Sequence, residues 1–106
     1  MSDATNVERS TVLLMAKEIV DRRQVIDGVP ENSFPAMAKA WSAYLMSRGY
    51  DIELHAIDVQ TMMSLFKIMR AGGNVGGLDS YVDGCAYLSL AGQTYMQEGH
   101  PGKSKK

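Results

Sequence analysis

The chain has 106 residues, 45% of them hydrophobic and 22% charged, and a formal net charge of −1. That balance fits one globular domain with its own core and excludes a disordered chain. The near-neutral charge excludes a basic field that gathers nucleic acid, the lone Cys85 excludes an internal disulfide framework, and the short apolar runs exclude a membrane span.

The N-terminal MSDATNVERS is polar and acidic, unlike a signal peptide, and together with the single cysteine it predicts a cytoplasmic protein. A first helix is predicted from about Thr5 to Gln24, with Thr5 or Asn6 able to cap its free amides. Its apolar positions (Val7, Leu14, Met15, Ile19) cover much of the circumference, so neighbours or a second subunit should enclose it. VIDGVPENS then breaks the helix: Gly28 and Pro30 supply turn chemistry, and Asn32 or Ser33 a new cap. The second helix spans about Phe34 to Arg48, with Pro35 in its first turn. Met37, Trp41, Tyr44 and Leu45 form its expected buried stripe, and Gly49 ends it. The third begins between His55 and Asp58 and stops before Gly72–Gly73, where the loop AGGNVGG is rich in glycine. The fourth runs from about Asp79 to Glu98 and is closed by Gly99 and Pro101.

The predicted fold is therefore all-α: an antiparallel four-helix bundle over residues 1–99, completed by oligomerisation, with 100–106 a disordered basic tail. Eight methionines are many for this length, and Met62, Met63, Met69 and Met96 fall on the last two helices. Their helical spacing assigns them to core or to a subunit interface rather than to an adaptable binding surface. Gly84, Cys85, Ala86, Ala91 and Gly92 suit a closely packed last helix, and Cys85 reads as packing, not as a nucleophile.

Several acids have helical spacing. Asp79 and Asp83 project from one face of the fourth helix, about 40° apart. Such a pair can hold a divalent cation completed by water and substrate phosphates. It can equally be the acidic start of a helix, with Asp79 as cap and Asp83 facing the positive dipole. Asp58 shares a sector with Met62, Leu65 and Met69 if its helix has begun by residue 55, and a carboxylate there needs a partner or a metal. If the helix begins at Asp58, it is simply the N-cap. Glu18 and Asp21 form a second pair, either a further metal contribution or an exposed pair countered by Arg22 or Arg23. Lys67 and Arg70 can grip phosphate oxygens or complement the negative end of the third helix. The line Gln60, Ser64, Lys67, Ala71 favours a solvated stripe for Lys67. No phosphate loop, nucleophile elbow or zinc spacing is present.

In order, EIVDRR, DGVPENSF, WSAYL, DVQTMMSLFKIMR and DSYVDGCAYLSL resemble the motifs of a family of small phage and prophage proteins of unknown function, across about residues 13 to 95. Asp27 departs from that pattern where the family carries an aromatic residue, Ser33 is one residue extra, and Gly84-Cys85-Ala86 replaces the usual run of small residues. The family's last helix in turn resembles that of the MazG-type all-α nucleotide pyrophosphohydrolases, which hold magnesium on a triphosphate with Glu-x-x-Glu and Glu-x-x-Asp pairs. This chain does not reproduce that pattern, so the likeness is one of layout.

Broad apolar coverage predicts a homo-oligomer, and the resemblance implies a protein of the host-cell cytoplasm that binds a nucleotide or nucleotide-like phosphate. Glu18, Asp58, Asp79 and Asp83 are the expected ligands of Mg²⁺, and Lys67, Arg70 and Arg22 the phosphate contacts. Turnover would be Mg-dependent pyrophosphohydrolysis. The alternative is a non-catalytic phage protein that sequesters a signalling nucleotide or binds a host protein. Neither membrane nor nucleic acid is an expected partner.

Overall fold

The computed structural model describes residues 2–22 and 33–101, with side chains for 8–22 and 33–101. It is all-α: α1 (Ser2–Asp21), α2 (Phe34–Ser47), α3 (Ala56–Gly72) and α4 (Leu78–Glu98). The first helix starts and stops about three residues earlier than its pattern predicts. The expected caps Thr5 and Asn6, the turn through Gly28, Pro30 and Asn32, and the tail from 102 lie outside the described side chains or residues.

α3 and α4 form an antiparallel hairpin at the centre; α1 lies along α4 and α2 along α3. Their shared core is Ala16, Phe34, Ala38, Val59, Val82, Ala86, Tyr87 and Leu90. α2 carries Pro35 in its first turn, as expected, and Gly49, at φ +95°, follows its C-cap. Its buried line is Phe34, Ala38 and Ser42, with Met37, Trp41 and Leu45 half-buried. Tyr44 falls beyond the edge of that line and is 64% exposed, which corrects its place in the predicted stripe. Ser42 accepts the Leu54 amide at 2.7 Å and so pins the connection to α3 onto α2.

α3 buries Ile57 and Val59 in its first turns, but from Gln60 onward it is oriented largely against its hydrophobic pattern. Gln60, Ser64 and Lys67 are buried, at 6%, 4% and 3% exposure, while Leu65, Ile68 and Met69 are 54%, 58% and 76% exposed. Lys67 is therefore no part of a solvated stripe. The physical reason is the facing helix. Gly84 lets α4 approach until a Cβ there would sit 3.6 Å from Lys67 Cβ, and each polar group on this side of α3 meets a partner across the contact. Ser64 Oγ donates to the Gly84 carbonyl at 2.8 Å, and Thr94 Oγ1 donates to Gln60 Oε1 at 2.9 Å. Satisfied polar groups are tolerated inside, so close approach decides the buried face rather than hydrophobicity.

The other consequence is an apolar exterior. Met63 packs against the core, but Met62, Met69 and Met96 are 42%, 76% and 85% exposed. On α4, Gly84, Ala86 and Ala91 are buried and Cys85 is half-buried, as a closely packed helix requires; Gly92 instead faces outward. Among the described side chains of α1, Ala16 alone is buried, and Leu13 and Leu14 are more than 60% exposed.

Candidate functional site

The last turns of α3 and the first turns of α4 bring opposite charges together. Lys67 points inward from α3 and meets Asp83 of α4, Nζ to Oδ2 at 3.2 Å, with side chains only 4% and 16% exposed. One turn further along α3, Arg70 is half-buried, and its guanidinium carbon lies 5.6 Å from the centre of the Phe66 ring. Lys67 Nζ is 5.9 Å from the same ring. The loop between the helices closes over Arg70: the Val75 amide donates to the Arg70 carbonyl at 2.8 Å, and Ser80 Oγ donates to the Val75 carbonyl at 2.6 Å. Gly76, at φ +83°, sits so close that a Cβ there would be 2.5 Å from Ser80 Oγ and 3.5 Å from Arg70 Nη2. Any side chain would dislodge the loop from the arginine. Arg70 Nε is buried and has no hydrogen-bond partner among the described residues.

The expected site residues divide into those that meet here and those that do not. Lys67, Arg70 and Asp83 meet, and Asp79 stands one turn before Asp83, exposed, in the first turn of α4. The N-cap of α4 is Gly77, so Asp79 is not the cap. Asp58 has another task. The helix begins at Ala56, His55 is the N-cap, and Asp58 Oδ2 accepts the His55 amide at 2.8 Å, closing a capping box. Glu18 lies on α1, where Arg22 Nη2 reaches its Oε2 at 2.8 Å with both side chains mainly exposed. Asp21 pairs with Lys17, whose ammonium is held above its ordinary pKa by that hydrogen bond and charge. Asp21 also lines a cleft with Gln93 and Gln97 of α4. Those residues lie 14 or more positions beyond Asp79, or about 20 Å along the helix. The opening and closing acid pairs are thus at different ends of one chain. Among the described residues, no three of the His, Cys, Asp and Glu side chains gather as a metal cage.

Phe66 is the member of the cluster that the sequence reading missed. Its signal was local: Phe66 and Arg70 are four residues apart, the spacing that stacks a cation over a ring on one helix face. Asp58→Ala is expected to lower stability by about 1 kcal/mol through loss of the cap, without altering any property of the Lys67–Arg70–Asp83 cluster. Urea unfolding of the variant checks the first half, and ligand titration the second.

A family described as Domain of unknown function (DUF6378) matches residues 11–95. Neither curated proteins nor solved structures give a match. The chain belongs to the DUF6378 family.

Proposed function

We propose that this DUF6378 member is a self-associating, phage-type protein that binds a nucleotide or nucleotide-like phosphate at the α3–α4 end. The observation that carries the reading is Arg70: a guanidinium with a buried, unpartnered Nε, laid against a half-exposed ring. Phosphate oxygens suit a guanidinium better than any other common acceptor, and Arg70 as a whole is only half-buried although its Nε lies covered. Phe66, 45% exposed beside it, offers a face on which a base can stack. Asp83 already neutralises Lys67, so Arg70 is the cation left to attract an anion.

Mg²⁺ fits this site in one form only. Asp79 and the second carboxylate oxygen of Asp83, whose Oδ2 stays with Lys67, would supply two oxygens from one helix turn, too few for a protein cage but enough for an ion that keeps its waters and takes phosphate oxygens as its remaining ligands. Bound that way, the ion would orient the phosphates and acidify an attacking water, the chemistry of pyrophosphate release. The same shortage of acids favours a second reading, retention of an intact nucleotide without turnover. The exposed apolar side chains of α1, α3 and α4 support the self-association.

Calorimetric titration with a panel of nucleoside di- and triphosphates, with and without Mg²⁺, tests the assignment. Arg70→Ala is expected to weaken binding about 10- to 100-fold, as expected for a lost charge-assisted hydrogen bond. Asp79→Asn should remove the Mg²⁺ dependence and leave metal-free binding unchanged. Recovery of intact ligand after denaturation identifies retention, and release of pyrophosphate identifies the enzyme. An Arg70→Ala protein that binds every nucleotide as the wild type does would sink the site.

A further inference from the structure

We infer that the outward faces of α3 and α4 form a two-fold interface with a second copy of this chain, joining the two α3–α4 hairpins into a four-helix bundle. The inference rests on the self-association half of the reading above and is independent of the phosphate half.

Three observations carry it. The first is spacing. On α3, Met62, Leu65, Met69 and Gly72 all face solvent and recur at intervals of three, four and three. On α4, Tyr81, Cys85, Leu88, Gly92 and Tyr95 recur at four, three, four and three, and only Cys85 is even half-buried. That alternation is the seam along which helices pack knobs into holes, and among the described residues nothing fills either seam. Of the seam residues, only Cys85 also packs against the single-chain core, from its edge.

The second is shape. Between the seams runs a groove of about 410 Å³ walled by Ile68, Tyr81 and Leu88 and floored by Ser64, Gly72 and Gly84. Large side chains therefore stand beside small ones on the same face. A two-fold interface requires this, because one patch must supply both the ridge and the hollow that receives it.

The third is area. Met62, Leu65, Ile68, Met69, Tyr81 and Leu88 are 42–76% exposed. At about 150 Å² for a large side chain in full exposure, they present roughly 500 Å² of apolar surface. A stable homodimer needs about 800 Å² per partner, about two-thirds of it apolar, so the patch matches the requirement. A lipid surface is the poorer occupant. No lysine or arginine stands on the outward sector of α3 from Asp58 to Met69, whereas helices that lie on membranes flank their apolar face with cations.

Sedimentation velocity of the full chain should give twice the chain mass. Leu65→Glu combined with Leu88→Glu, both at exposed positions, should keep the helical circular dichroism and weaken the dimer at least 100-fold. Met96→Glu, exposed but off the seam, should leave it dimeric. Alkylation of Cys85 gives a readout that needs no variant: it should be slow in concentrated wild-type protein and speed up on dilution. A monomer at every concentration, whether or not it sediments with anionic vesicles, overturns the inference together with the self-association half of the proposed function. A dimer that survives both glutamates, or a Cys85 rate independent of concentration, overturns the interface alone.

Discussion

Asp83→Ala should destabilise the fold by about 3–5 kcal/mol, the loss expected when one partner of a buried ion pair is removed and the other charge stays inside. Lys67 is 3% exposed, and its Cβ sits across from Gly84, so the ammonium cannot swing to water without opening the α3–α4 contact. Against a total stability of roughly 5–15 kcal/mol for a domain of this size, such a loss leaves little of the folded population in reserve. The double variant Lys67→Met with Asp83→Leu should behave in the opposite way, restoring wild-type stability or exceeding it by up to about 4 kcal/mol, because both desolvation penalties vanish together. Urea unfolding of the two singles and the double closes the cycle. If Asp83→Ala proves as stable as the wild type, Lys67 and Asp83 do not form a buried ion pair in solution. If the double is stable but no longer binds nucleotide, the ion pair serves the ligand site rather than the fold, since burying hydrophobes would have held the helices equally well.

The same pair shows where sequence reading runs out. The helices themselves were legible, because Pro35, Gly49, Gly72–Gly73 and Gly99 mark their ends by local chemistry that needs no tertiary context. The inward face of α3 was not. Periodicity assigns Met62, Leu65 and Met69 to the inside because it assumes that the apolar side is the buried one. In this chain the deciding residue is Gly84, on another helix, 20 positions from the Ser64 that bonds it. Lys67 and Asp83 are likewise 16 residues apart, and nothing near either one announces the other. Asp58 was ambiguous for a different reason: a capping box normally opens with Ser or Thr, and here its first member is His55. The four acids had compatible spacings within their own helices, but spacing within a helix does not fix which end of a bundle that helix meets. Only Asp79 and Asp83, which share a helix, stay together. The apolar sectors that looked like core in one chain keep their physical meaning if the core is completed by two.

Phe34→Ala should have an effect of similar size, about 3–5 kcal/mol, by a different route. Phe34 is the first residue of α2, 1% exposed, and its ring meets the fully buried Tyr87 of α4 edge-on, with centroids 6.2 Å apart and planes at 79°. α2 otherwise rests on α3, so this ring is what carries the start of the helix across to α4. At 14 residues, α2 is near the length at which an isolated helix is marginal in water, and it lacks a side-chain cap at Ser33. Truncating the ring leaves a cavity against Tyr87 that the surrounding Val82, Ala86 and Leu90, fixed on α4, cannot fill. The loss should exceed 10 °C in melting temperature by the usual scaling of about 4–8 °C per kcal/mol for a domain near this size. The single tryptophan, Trp41, half-buried on α2, reports whether the helix detaches: its emission should shift to the red in the variant before global unfolding begins. Phe34→Leu keeps most of the buried volume and should cost less than half as much, which separates lost packing from the edge-on ring contact, worth about 0.5–1.5 kcal/mol. All of these melts belong at one protein concentration, because a dimeric fold gains stability from mass action. A Phe34→Ala protein with unchanged melting and unchanged Trp41 emission would mean that α2 is held by its contact with α3 alone.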